Sequence, residues 1–496
     1  MRLKMMSTGA AVGRCLLAWM VLAATAGAGE APLELGDRRE LFVDRYLIES
    51  LRGVHLHLCE PRDAGPVLRF DKPWEGAFCG YCTLVRDGQR YLLYYRGKPT
   101  AERDGQGEVT CLAESDDGLR WTKPQLGLVE RSGSRDNNIV LSARNLSHNF
   151  SPLLDANPAA RPGERFKALA GTMATGLVAF ASPDGRKWHK LRDEPVIAVS
   201  GVPFPYMFDS QNVAFWSLAE GKYVAYFRVF QGGVRRIARA TSDDFIHWGA
   251  PELMQYRDAD GGAAPIEHLY TNQTHPYFRA PQLYVSIAAR FMPGRQVLSA
   301  AEAEAIHVNP KYFKDASDAI FMTTRGGGWY DRTFLTAFIR PGIGAQNWVS
   351  RTNYPALNVV QTGPAEMSIY VNQDYAQPTA HLRRYSLRLD GLAALRAGYA
   401  GGEAVSKPLT FRGNRLLLNF STSAAGGIRV ELQDAAGQPI PGFTLGDSLE
   451  TIGNEIERAA RWRQGPDLGA LAGKVIRIKL AIKDADVFAI RFANSQ

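Results

Sequence analysis

Four carboxylates stand in polar runs beside apolar, strand-like stretches: Glu75 in PWEGAFCGY, Asp209 in MFDSQNVAFW, Glu267 in IEHLYTNQTHPYF and Glu366 in TGPAEMSIY. Two carboxyl groups facing each other across a pocket can break an acetal. One protonates the leaving oxygen while the other activates water or attacks the anomeric carbon. Unequal burial and neighbouring charge push the pKa values of such a pair apart, so one stays protonated and the other ionised. Asp209 and Glu267 have the most amide-rich surroundings, and Glu366 and Glu75 are the supporting candidates. Side chains suited to sugar hydroxyls lie in comparable runs: His148, Asn149, Gln211, Asn212, Asn272 and His275. A lone carboxylate near a strand start is more often a turn or capping group, so the argument needs a fold that gathers these positions.

A repeated turn supplies that fold. Ser115-Asp116-Asp117-Gly118-Leu119-Arg120-Trp121 recurs as Ser182-Pro183-Asp184-Gly185-Arg186-Lys187-Trp188 and as Ser242-Asp243-Asp244-Phe245-Ile246-His247-Trp248. Thr324 to Trp329 is a degenerate fourth copy, and Leu389-Asp390-Gly391 is a fifth comparable turn. Asp and Gly tolerate the turn's backbone angles and the Trp packs the hairpin on its neighbour. Asp117, Asp184 and Asp244 are therefore read as turn residues. A second hairpin precedes the copies, for example Thr83–Val85 and Tyr91–Tyr95 around Asp87-Gly88. Two hairpins per unit and five units describe a five-bladed β-propeller. Its innermost strands face one channel, which would bring the candidate acids together. The expected fold is all-β: a propeller over 33–396 and a β-sandwich over 403–496, where alternating strands such as 475–482 and 487–492 follow a Gly-rich linker. The one short helix expected is 299–305, within an insertion in the fourth unit.

Composition narrows the function classes. The formal charge of +8 has no run of five like charges behind it, which gives no support to nucleic-acid binding. Residues 1–28 read as a signal peptide: Arg2, Lys4 and Arg14 precede the apolar Cys15–Ala24, and Ala26-Gly27-Ala28 fits a cleavage site. Export, a soluble product without a membrane span, and a monomer are expected. Cys79 and Cys82 lack a second ligand pair, so they are read as buried thiols rather than a metal or redox site. His55 and His57 have a spacing that can hold metal but read better as strand histidines. Arg383-Arg384 reads as a partner of surface carboxylates.

The Ser-x-Asp-Gly-x-x-Trp turns in five units resemble the propellers of glycoside hydrolase families 32 and 43, the invertase, levanase, arabinanase and xylosidase relatives. LFVDRYLIES, LRFDKPWEG, Arg135 to Leu141, FDSQNVAFW, YTNQTHPYF, FIRPG and LTFRGNRLLLNFSTSAAG resemble a group of exported bacterial glycosyl-hydrolase-like proteins over nearly the whole chain. The resemblance implies three acids around the channel. Phe208-Asp209-Ser210 is similar to the modulator's Arg-Asp-Pro motif, and Ile266-Glu267-His268 to the general acid's Glu-Cys motif. At the first blade, where those families place an Asp, this chain has Tyr81-Cys82, leaving Glu75 or Asp44 as stand-ins. The resemblance also implies a carbohydrate substrate and no required cofactor. His148 and His275 could line a central water or structural metal site such as calcium. Two other readings stay open: a non-catalytic glycan-binding or surface-interaction propeller, and a hydrolase or lyase of another polysaccharide chemistry on the same scaffold.

Overall fold

A computed structural model describes residues 31–101 and 107–495. The expected signal peptide lies outside the described residues. The five-bladed propeller and a C-terminal sheet domain are both present. Blade 1 is built from Gly80–Asp87, Arg90–Gly97, Val109–Ser115 and Ile139–Leu141; blade 2 from Ser151–Leu154, Phe166–Ala170, Val178–Ser182 and His189–Lys190; and blade 3 from Val213–Ser217, Lys222–Gln231, Val234–Ser242 and Glu252–Leu253. Blade 4 runs through Leu269–Thr271 with Thr274–Tyr277, then Ala280–Met292, Ala316–Thr324 and Trp329–Asp331. Gln255–Arg257 adds to its outer edge in parallel. The helix Ala300–Ala305 interrupts this blade, started by a capping box in which Ser299 and Glu302 satisfy each other's backbone amides.

Blade 5 closes the ring. Its inner segments Tyr354–Pro355 and Val360–Gln361 and its middle strands Glu366–Gln373 and His381–Arg388 come late in the chain. Its outer strand, Arg62–Arg69, comes from near the start. The first strands also pair outside the blades. Leu33–Gly36, Arg39–Leu41, Ile48–Arg52 and Val54–Leu58 hydrogen-bond into the C-terminal sheet, as does Ala393–Ala397. That ten-stranded sheet, dominated by Arg415–Asp434 and Ile476–Ala493, encloses one apolar core including Phe42, Leu418, Trp462 and Ile478.

The repeated turns have one geometry. Asp117, Asp184 and Asp244 each accept backbone N–H bonds from the residues two and three further on, while Ser115, Ser182 and Ser242 accept the turn's own amides. These aspartates are turn residues, as expected. Tyrosines of the second strands then tie blade to blade: Tyr94 Oη donates to Gly185 O at 2.7 Å, Tyr284 Oη to Glu220 at 2.9 Å, and Tyr370 to Gly118 O. Cys79, Cys82 and Cys111 are free, buried thiols in the blade 1 core.

Candidate active site

Each blade sends its chain into the channel along the innermost strand, and one residue near each entrance meets its neighbours. These are Tyr81, His148, Asp209, Tyr270 and Arg351, from blades 1 to 5 in order. The backbone is strained there: Tyr81, Phe208 and Arg351 have φ of 51°, 64° and 61°. Left-handed conformations in non-glycine residues cost on the order of 1–2 kcal/mol each and concentrate at functional sites.

The contacts form a closed circuit. The Arg96 guanidinium lies 4.6 Å from the Tyr81 ring centre, and the Tyr81 and His148 rings are 5.5 Å apart. His148 Nε2 is 3.4 Å from Asp209 Oδ1, and Arg228 Nη2 donates to Asp209 Oδ2 at 2.7 Å. Arg228 and Arg351 lie 4.7 and 5.4 Å from the Tyr270 ring centre. Arg351 also lies 5.0 Å from Tyr312, whose ring is 5.5 Å from that of Tyr375. Arg96 Nη2 donates to the Tyr375 hydroxyl at 3.3 Å and completes the loop.

Behind His148 sits Glu108, with oxygens 3.0 and 3.1 Å from Nδ1. Burial alone would raise the carboxyl pKa of Asp209, but the His148 contact and the Arg228 charge hold it well below the usual carboxylate range. Glu108, despite burial, is drawn down to about 2 by His148, Arg96 and Lys98. Burial disfavours the imidazolium of His148, yet Asp209 and Glu108 outweigh it and raise its pKa above the ordinary 6.5. The result is a carboxylate–imidazole–carboxylate relay in which both neighbours favour the protonated ring. Its outer member, Asp209, keeps 26% of its side chain exposed while His148 and Glu108 are buried. The hydroxyl of the half-buried Tyr81, desolvated and beside Tyr270 and Asp209, has its pKa pushed up and stays protonated.

Below this ring the channel is plugged. Gln211 donates to Thr83 Oγ1 at 2.6 Å, and Gln273 donates to Gln211 Oε1 and to Pro355 O, both at 2.7 Å. A separate, mostly apolar cavity of about 400 Å³ opens on the far side, lined by Val85, Leu153, Phe215, Pro276 and Val359 from the five inner strands. Another cavity, about 1200 Å³, lies elsewhere, along Pro61, Phe338, Ile343, Trp348 and Arg383, and shares no residue with the ring. Among the described residues no cluster of three or more His, Cys, Asp or Glu has metal-binding geometry.

Of the expected site residues, Asp209 and His148 meet in the ring. Glu267 does not join its circuit: its oxygens accept from Arg290 at 3.0 Å and Arg332 at 2.6 Å, and Arg290 also holds Asp318. Glu75 is fully buried in blade 1, bound by Tyr95 Oη at 2.5 Å and Lys123 at 2.6 Å. Glu366 begins the second strand of blade 5, not its inner one, and is bound by Arg384 and Thr362. The inner strand is the short pair 354–355 and 360–361, split around Asn358 at φ 76°, too broken to read as a strand in the sequence. Asp44 is bound by Arg325 and Thr323, at the junction with the C-terminal sheet.

The expected sugar-binding amides are buried and bonded to the protein. Asn149 donates to the carbonyls of Gly171, Phe208 and Ser210 at 2.7 Å each, bracing the Asp209 loop. Asn212 reaches the Phe208 carbonyl, Asn272 caps Thr274 N, and Gln211 belongs to the plug. His275 accepts from Val359 N through Nε2, and burial pushes its pKa to about 4, so it is a neutral brace. Sequence reasoning missed Arg96, Glu108, Arg228, Tyr270 and Arg351. One signal was present: Arg96 in YLLYYRG and Arg228 in YVAYFRVF are charges inside apolar strands, and a buried charge demands a partner.

No family profile matches the chain, and no curated protein matches it in sequence. Solved structures similar to it include a β-1,2-mannobiose phosphorylase from Listeria innocua, at 9% identity and TM-score 0.44 over 67% of this chain and 97% of that one. The catalytic domain of a GH62 α-L-arabinofuranosidase from Coprinopsis cinerea gives 8% and 0.42 over 66% and 97%. A fructofuranosidase from Schwanniomyces occidentalis gives 12% and 0.35 over 94% and 100%. Values this low leave function to the residues of the site itself.

Proposed function

We propose that this protein is a carbohydrate-active enzyme that cleaves a glycosidic bond at the mouth of the propeller channel, with Asp209 as the working carboxylate. In that reaction the bond from the anomeric carbon to the leaving oxygen breaks, the oxygen gains a proton and the carbon gains the hydroxyl of water. Asp209 acts as base or nucleophile, kept ionised and oriented by His148 and Arg228. The observation that carries this reading is the Glu108–His148–Asp209 relay, which ends on a partly exposed carboxylate among residues of all five blades. The apolar run of residues 15–24 supports export.

The test is turnover on a glycan panel. Asp209→Asn, which keeps the shape and removes the charge, is expected to lower kcat/KM by about 10²–10⁴-fold. Glu267→Gln separates two forms of the proposal. Retained turnover assigns the reaction to the ring, whereas a comparable loss makes Glu267 the proton donor despite its two arginine partners. A wild-type protein that binds glycans but turns none over would favour the binding-module reading, which the single carboxylate in the circuit supports.

A further inference from the structure

The ring is unbalanced in charge. Arg96, Arg228 and Arg351 belong to the contact circuit, and Arg235 stacks on the same aromatic face, 5.2 Å from the Tyr270 ring centre. Against these four guanidiniums the described residues supply two carboxylates, Asp209 and Glu108, with His148 between them. Glu108 is also bound by Lys98 at 2.9 Å, and Asp209 is taken by Arg228 and His148. No carboxylate pairs with Arg235 or Arg351 among the described residues. Arg235 contacts His268 Nδ1 and three aromatic rings, and Arg351 contacts Tyr270 and Tyr312.

A second observation is independent of that count. Arg228 has a side chain only 2% exposed, and its Nε and Nη1 have no hydrogen-bond partner among the described residues. The Nε atoms of several other arginines are likewise without a partner, but among the described residues Arg228 alone leaves two guanidinium nitrogens so, in a fold where buried polar groups are nearly always satisfied. Cations held against aromatic faces, partly desolvated and short of counter-charge, form an anion receptor. Guanidinium groups also match carboxylate and sulfate oxygens in a two-pronged geometry.

We propose that the ring recognises an anionic saccharide, a uronate or a sulfated sugar, whose acidic group is held by Arg235 and Arg351 at the blade 3–4–5 side of the mouth. The inference rests on the placement of the glycan site at the ring; it does not require that the glycan be cleaved. Asp209 lies on the blade 2–3 side, so an acidic group held by Arg235 and Arg351 is kept away from its negative charge.

Binding distinguishes this idea from the catalytic one. Calorimetric titration of Asp209→Asn protein at low salt would use three probes: trigalacturonic acid, its carboxyl-reduced neutral counterpart, and a sulfated galactan oligosaccharide. The acidic probe is expected to bind and the reduced one to lose most of its affinity. Arg351→Ala and Arg235→Gln are each expected to weaken acidic binding about tenfold or more. Two variants on different blades guard against one failing to fold, and their melting temperatures are compared with the parent. Preference for the sulfated probe over the uronide would name sulfate as the acidic group. Equal affinity for acidic and neutral probes, binding unchanged in both folded variants, or no binding to any acidic probe would overturn the proposal. Acidic binding by a wild type that cleaves nothing would leave it standing and remove the catalytic reading.

Discussion

His148 lies between two carboxylates and, with Arg228 on one side and Arg96 and Lys98 on the other, favours their charged forms in a largely buried place. Protonation therefore couples this site to stability in two directions. The raised pKa of His148 means its contribution is complete below the ordinary 6.5 and is lost as pH rises through the higher folded value. The depressed pKa of Glu108 works the other way: its contribution is complete above the ordinary 4.5 and is lost as pH falls toward about 2. Melting temperature is expected to be highest on the weakly acidic side of neutrality, and His148→Gln should flatten the alkaline decline. Glu108 acts through His148 rather than on a substrate. Glu108→Gln is accordingly expected to move the alkaline limb of the kcat/KM profile to lower pH, a shift that simple loss of packing would not produce.

The turns are the units that stack the blades, and their glycines differ in what they must avoid. Gly185 has φ 75°, and a Cβ there would lie 2.5 Å from the Tyr94 hydroxyl that bonds the turn. Gly88 has φ 62° but open space around it. Gly88→Ala is expected to cost only the left-handed backbone, about 1–2 kcal/mol. Gly185→Ala should cost that plus about 1 kcal/mol for the displaced Tyr94 bond, read as a larger loss in chemical denaturation. The third copy shows the alternative. Phe245 takes the glycine position at φ 68°, and its buried ring packs 5.1 Å from Tyr223 and 5.6 Å from Trp248, so packing offsets the strain.

At the scale of the molecule, two closures hold the chain. Residues 62–69 complete blade 5, and residues 33–58 complete the C-terminal sheet, so both units need the early part of the described chain. Asp390 joins them. Fully buried, it accepts from Arg39 at 3.1 Å and Asn419 at 2.9 Å on the sheet side, and from Tyr277 at 2.9 Å and Arg279 at 2.8 Å on blade 4. Arg39 and Arg279 also share the carboxylate of Glu457, so loss of Asp390 leaves the two guanidiniums with one partly exposed partner between them, at a cost of about 1–3 kcal/mol. Asp390→Ala is expected to lower stability by that amount, and limited proteolysis should then release the C-terminal sheet before the propeller. Unchanged cleavage and unchanged denaturation midpoints would show the junction to be held by packing alone.

Much of this architecture was legible locally. The Ser-x-Asp-Gly turn carries its own hydrogen bonds, so three copies and two degenerate ones were enough to count five blades. The short helix at 299–305 was legible in the same way, and its Ser299–Glu302 capping box is local too. The lack of a second ligand pair near Cys79 and Cys82 pointed to buried thiols, which they are. Asp209 and His148 were found because polar residues at strand entrances converge in any closed propeller. The remaining site residues depended on closure itself. Period-two alternation says which residues face inward, but it does not say which inward residue reaches the mouth, nor which charge finds which partner across blades. That is why Glu267 went to Arg290 and Arg332, why Glu366 fell on a second strand, and why Arg96, Arg228 and Arg351 became the walls of the ring. Turn chemistry is settled within a few residues of chain. Ion pairing between residues on different strands, such as Glu267 with Arg290 and Arg332 or His148 with Asp209, is settled only when the strands have packed and the ring of blades has closed.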